Sequence, residues 1–561
     1  MKKIMKRMRL YLTAAIALCS LLVQAQPAAV KNTAKSVFSL TTFRADGSLL
    51  ASSHGVFVGS NGEAVSELKP FIGAASAVVI DQKGNKMDVT RILGINDIYN
   101  AAHFRVNGKT TPATLASSSA ANGSSAWLVG YGVKNPEIIN TRVKSMETFM
   151  DKYAYYIFGM NAPDNAIACP FVNDNGEVLG LLQVSNTSFD THATDARYIN
   201  SLAPHGLSYN DATIRQIGIP CAMPTDLAQA QLTLVMANQS GDSLKHVTAI
   251  NDFCELFPAE PDGYDARARM QASQKRFDDA DKTMEQAIKL VEKKDEAHYN
   301  FGKLIYDKVL YQTDAPYEKW TLDKALEEVN EAYALSPLPG YQHLAAQITF
   351  SKAEYQKAHD MFMALYQNKD FKNPELLYEA ARCKQMLNAP AKEVIALLDS
   401  AINTTDTLQI VSAAPYFLTR ATAYEQADSF RQAVFDYTRY EYLMRGNVNA
   451  NFYYIREQAE VKGHLFQQAL GDIARAIILD PQEPTYYAEM ASLQLRVNMI
   501  DEALKTAERC VEIAPNYSDG FLLLGLAQVK KGQKGEGIAN LQKAKELGNE
   551  QADALIDKYS K

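Results

Sequence analysis

Tryptophan occurs twice and cysteine six times in 561 residues, and neither type gathers anywhere along the chain. Cys19, Cys169, Cys221, Cys254, Cys383 and Cys510 lack the paired spacing of a metal cluster, and the chain is far too long for a disulfide scaffold. The nine histidines are scattered. No P-loop, dinucleotide glycine fingerprint, H-E-x-x-H helix or EF-hand loop appears, so the sequence implies no cofactor and no metal. After residue 25 no apolar run is long enough to span a bilayer. Basic charge is in deficit, since 57 Lys and Arg against 64 Asp and Glu give 57 − 64 = −7. That balance argues against nucleic acid and anionic lipid as partners.

What is present is ordinary globular material, 47% hydrophobic and 22% charged, in a chain too long for one core. The first 25 residues read as an export signal: Lys2, Lys3, Lys6, Arg7 and Arg9, an apolar run over 10–23, and Val23-Gln24-Ala25 as the cleavage site. Leu18 stands where a lipid-attachment motif ahead of Cys19 carries a small residue, so plain cleavage is expected. Removing five cations moves the balance to 52 − 64 = −12. The expected location is outside the cytoplasm, periplasmic or associated with the outer membrane of a Gram-negative cell.

A composition break falls at 206–225, where Pro, Gly and Asn gather, and is expected to be a linker. Before it, over 36–205, short runs such as "SVFSLTTF", "SAVVI", "AWLVGYG", "YYIFGM" and "VLGLLQV" are rich in β-branched and aromatic residues. Asp46-Gly47, Asn61-Gly62 and Asn175-Gly176 mark turns between them. The reading is an all-β domain.

After the break, over 226–561, apolar residues recur at i, i+4 and i+7 in unit after unit. The faces are Ala280/Met284/Ala287, Ala325/Val329/Ala332, Ala358/Phe362/Leu365, Ala433/Tyr437/Tyr440, Ala469/Ile473/Ala476, Ala503/Ala507/Cys510 and Gly537/Leu541/Ala544. The last three fall at a fixed interval of 34, and Pro481 and Pro515 close two units. Cys510 sits where the other units place alanine, so it reads as a buried small hydrophobe. The pattern resembles the tetratricopeptide repeat (TPR), with Gly302 and Gly525 matching the family's small residue in the first helix of a hairpin. The resemblance implies a solenoid whose groove, lined by first helices, holds peptide or protein partners. Groove candidates on matching positions are Asn451, Tyr454, Thr485, Ala488, Asp519 and Leu522, with packing between repeats as the alternative for Tyr454.

The β region in turn resembles a trypsin-like domain of the HtrA type. The segments that carry the likeness are "SHGVFVGSNGEAVSELKPF", "GINDIYNAAHFRV" and "NAIACPFVNDNGEVLGLLQV", with "ARYINSL" resembling a closing strand. The fold expected for the whole chain is therefore multidomain, a trypsin-like double β-barrel followed by an all-α TPR solenoid. Carried across without gaps, the family's histidine, aspartate and serine positions fall on Lys69, Asn100 and Ile167. None keeps the catalytic type, and isoleucine has no nucleophilic atom. The oxyanion glycine corresponds to Asn165, and the two small residues after the serine to Ala168 and Cys169. His54 is read as preceding a strand and His103 as lying within one, while Glu67 and Lys69 are read as an exposed ion pair. The expectation is a pseudoprotease joined to a TPR array, a binding protein for peptides or proteins. The alternatives are an endopeptidase with relocated catalytic residues, Cys169 among them, and an envelope scaffold.

Overall fold

A computed structural model describes residues 26–149, 152–183, 190–404 and 411–560; the expected signal over 1–25 lies outside them. The chain divides into two compact units after Ala297.

The first unit opens with helix Ala28–Thr33 and then builds two barrels. Strands β1 (Val37–Phe43), β2 (Leu49–Phe57), β3 (Glu63–Glu67), β4 (Ser76–Ile80), β5 (Lys86–Asn96) and β6 (Ala101–Val106) close in the order β1-β2-β3-β6-β5-β4. Strands β7 (Ser125–Val129), β8 (Ile138–Phe149), β9 (Tyr153–Phe158), β10 (Pro170–Val172), β11 (Val178–Gln183) and β12 (Thr191–Asp195) close as β10-β11-β12-β9-β8-β7. Read from the other side, the second order repeats the first, strand for strand. This is the trypsin-like double barrel that the sequence implied.

Alternation along the strands fills each barrel. In the first, Phe38, Phe57, Phe71 and Phe104 are buried, with the Phe38 and Phe57 rings 4.6 Å apart. Gly55 faces that cluster because a Cβ there would lie 2.3 Å from the Val65 carbonyl oxygen and 2.4 Å from the Phe38 ring. In the second, Phe158 stacks on Phe171 at 3.8 Å. The β1–β2, β2–β3 and β10–β11 turns use Gly47, Gly62 and Gly176 at positive φ, as the Asp-Gly and Asn-Gly pairs foretold.

Two local expectations are corrected. "ARYINSL" is no strand: Ala196–Ser201 is a 3₁₀ helix, started because the Asp195 carboxylate accepts from the Arg197 N–H, and β12 closes the barrel just before it. The segment over 206–225, expected as a linker, is packed against the first barrel. Tyr209, Ile214, Ile217, Ile219 and Cys221 are buried in the first barrel's core, and Leu234, Ile250 and Phe253 of helices Leu227–Gln239 and Ser243–Leu256 join the same cluster. A β-branched segment among turn residues reads as loop in one dimension and as packing in three.

From Leu227 onward helix follows helix to Ser560 in the described residues. Lys275, Ala353, Asn388, Asp428, His464, Asn498 and Gly532 each adopt positive φ at the turn between two helices of a hairpin. This is the left-handed cap that reverses the chain after a helix, and of these seven positions glycine occupies 532. The predicted faces are buried throughout except Tyr440, which is partly exposed. Gly302 and Gly525 are true close approaches: a Cβ would lie 2.6 Å from Val329 in the first case and 2.7 Å from the Gly537 carbonyl oxygen in the second.

Candidate functional site

The end of β3 and the β5–β6 turn bring two of the three expected positions together. Asn100, at φ +48, turns its Oδ1 toward the chain after β3 and accepts from the N–H groups of Leu68 (3.2 Å) and Lys69 (3.0 Å). Its Nδ2 donates to Glu67 Oε2 at 3.1 Å and to Gln183 Oε1 at 3.2 Å, so it ties β3 of the first barrel to β11 of the second. Glu67 is not the exposed partner of Lys69 expected from sequence: it is 9% exposed and accepts from the Ser53 hydroxyl at 2.7 Å. Lys69 itself opens a 3₁₀ turn and is exposed. The carboxylate at 67 accounts for the amide at 100. An aspartate there would face Glu67 as a like charge and could not donate.

Ile167 follows the 3₁₀ turn Asp164–Ala166 and is partly exposed. Its carbonyl oxygen accepts from His54 Nδ1 at 3.2 Å, which fixes the imidazole tautomer because a carbonyl cannot donate. His54 lies inside β2, not before it. Burial holds its pKa below the ordinary histidine value, so the ring is neutral at pH 7. Ala168 takes φ +59 and donates its N–H to the Leu182 carbonyl at 3.0 Å.

Cys169 is fully buried, and that burial pushes its thiol up to about 12. It carries almost no thiolate at neutral pH. His103 lies in β6, as read, with Nδ1 2.8 Å from the Leu202 carbonyl oxygen. Among the described residues no serine, threonine or cysteine side chain is hydrogen-bonded to an imidazole.

The groove candidates separate by burial. Asn451 is exposed beside a cavity of about 470 Å³ that it lines with Tyr440, Phe452 and Ile455. Tyr454 is half-buried with its ring 5.4 Å from Tyr486. Thr485 binds the Glu483 carboxylate at 2.6 Å as part of a helix cap. Asp519 is exposed and accepts from Asn549 at 2.6 Å. Ala488 and Leu522 are corrected to core: each is 6% exposed, and Leu522 packs on Leu541, Ala544 and Ala552.

Sequence reading missed a groove of about 390 Å³ earlier in the stack. Tyr306 and Leu310 of helix Lys294–Tyr311, Gln347 and Phe350 of Pro339–Ser351, and Glu379 and Arg382 of Pro374–Met386 line it. Glu379 is pinned by Gln347 (2.7 Å) and His343 (2.6 Å), and the Arg382 guanidinium lies 5.3 Å above the Phe350 ring. The signal was there in the i, i+4 spacing of Tyr306/Leu310, but an insertion before Ala325 hid the repeat phase.

No protein-family model matches the chain. The small glutamine-rich tetratricopeptide repeat-containing protein 2 of Saccharomyces cerevisiae is 28% identical over 95 residues, 17% of this chain and 28% of the length of that relative. Among solved structures, the active form of the Rv3671c protease from M. tuberculosis is 15% identical over 31% of this chain and 82% of that one, with a TM-score of 0.28. Its inactive form is also 15% identical, over 31% and 91%, with a TM-score of 0.26.

Proposed function

We propose that this chain is a binding protein that holds an extended peptide or a protein segment along its helical repeats, and that its double barrel does not cut. The observation that carries the reading is the groove built by the helices carrying Tyr306, Gln347 and Glu379, which presents aromatic, amide and charged groups side by side. Such a surface offers aromatic area for affinity and fixed polar groups for register. The inactivity half is supported by Ile167 in the nucleophile position and by the buried, protonated thiol of Cys169. A cleft without a nucleophile can still pair with an extended strand.

Export through the first 25 residues belongs to the same proposal, and no helix among the described residues is long and apolar enough to cross a membrane. Fractionation of cells expressing the tagged chain tests export, which fails if the cytoplasm retains a full-length product. A photoreactive residue at 306 or 350, compared with one at exposed Ile478, tests the groove. Partner crosslinks are expected at the first two positions and not at the third. Equal crosslinking at all three removes the groove from the account.

A further inference from the structure

Helix Ala450–Lys462 carries two carboxyl groups where its neighbours carry none. Glu457 occupies the place that Ala421, Ala491 and Gly525 hold in successive units, and Glu460 the place of Tyr424, Gln494 and Gln528. Both are buried, at 1% and 3% exposure. Among the described residues Glu457 Oε1, Glu460 Oε2 and Gln494 Oε1 are buried oxygens with no hydrogen-bond partner. All three are acceptors when the carboxyls are ionised, and a carboxyl proton is a donor that can satisfy one of them.

Charge counting gives the same answer. Arg456 binds Asp472 through two hydrogen bonds, at 2.5 and 3.0 Å, and Glu441 at 2.7 Å. Arg475 stands 3.6 Å from Asp472 and 3.8 Å from Glu441. Two cations thus meet two anions on helices Ala450–Lys462, Phe466–Leu479 and Phe430–Leu443 before either glutamate is counted, with the Tyr453 hydroxyl on Glu441 as well. On the side of helix Pro484–Arg496, Glu489 acts on Glu457 more strongly than Arg496 does. The Gln458 amide bonds Glu457 Oε2 at 2.6 Å, and Glu460 Oε1 reaches Arg456 only at 4.0 Å. Among the described residues Glu457 has no salt-bridge partner, and Glu460 has only that distant one.

We propose that the hairpin over 450–479, together with the helix that follows it, is a proton-operated joint in the repeat stack. It is closed while Glu457 and Glu460 both hold a proton and loosened when they ionise. Burial, with Glu489 adding to it, pushes Glu457 up to about 7. Burial, with Asp472 adding to it, pushes Glu460 up to about 8. Both folded values lie above the ordinary 4.5, so the folded joint binds more protons than the opened one. Its stability is fully present below that ordinary value, declines as pH rises, and has lost this contribution above the folded values. Each group raises the opening constant about tenfold per pH unit inside that window.

Hydrogen exchange of the full chain, corrected for the intrinsic pH effect, tests this. Amides over 450–496 should lose protection progressively between pH 5 and about 8, while those over 518–546 keep theirs. The double variant Glu457→Gln, Glu460→Gln should abolish the pH dependence. Equal pH dependence in variant and wild type, or none in either, overturns the joint. Carboxyl ¹³C titration of the wild type covers the case of a variant that does not fold: midpoints near the ordinary glutamate value contradict the proposal, and midpoints near neutrality uphold it.

Discussion

Replacing Arg456 by leucine isolates one buried ion pair in the central repeats of the second unit. The guanidinium is buried, makes two hydrogen bonds to Asp472 and one to Glu441, and lies 5.2 Å above the Phe452 ring and 5.6 Å from that of Tyr453. Removing it strands a buried carboxylate, a loss of about 3–5 kcal/mol in comparable sites. Arg475 at 3.6 Å remains to offset part of the charge, so a value of about 3 kcal/mol is expected. The companion Asp472→Leu, added to the first, removes the stranded charge and should recover most of the loss, because a pair replaced by apolar residues of similar volume is close to neutral. Local stabilities over 450–479 from hydrogen exchange give both numbers without assuming one cooperative transition for the whole chain. A single variant within about 0.5 kcal/mol of wild type, or a double variant as unstable as the sum of two singles, refutes the reasoning.

Three further outcomes follow from geometry. Gly525→Ala forces a Cβ to 2.7 Å from the Gly537 carbonyl oxygen and should cost about 1–3 kcal/mol in local stability, whereas Gly535→Ala meets nothing within 4 Å and should gain about 0.5–1 kcal/mol. Asn100→Asp keeps the acceptor for Leu68 and Lys69 but sets a carboxylate against Glu67; thermal melts should show it less stable at pH 7 than at pH 4, a dependence absent from Asn100→Ser. Native iodoacetamide should modify the half-buried Cys254 before the fully buried Cys169, whose thiol should react only after unfolding; mass mapping showing Cys169 modified first contradicts its burial.

Much of the fold was legible because its two signals are periodic. The i, i+4, i+7 faces from Ala280 to Ala544 are the buried seams of the hairpins, and Cys510 is buried as its alanine-type position implied. The glycine turns and β-branched runs gave the strands. The charged interior was not legible, because Arg and Asp on a helix read as solvent-facing until a partner is known. Arg420 with Asp436 and Arg456 with Asp472 repeat the same two-hydrogen-bond pair, on residues 16 apart in both units. That spacing stood in the sequence, but only the hairpin geometry turns it into contact. The first-barrel plug over 206–225 was hidden for a related reason: its isoleucines alternate with turn formers, and what they cover lies more than a hundred residues away. At the cleft, the reason for Asn100 lies in Glu67, which sequence placed at the surface.

The account turns on whether the cleft can break a bond. Treating the purified full chain with a fluorophosphonate probe, alongside unstructured casein as substrate, measures this directly. The account predicts no covalent label and no fragments. Labelling that disappears on changing one serine or cysteine, or casein cleavage that copurifies with the chain and is lost in the same variant, would contradict it.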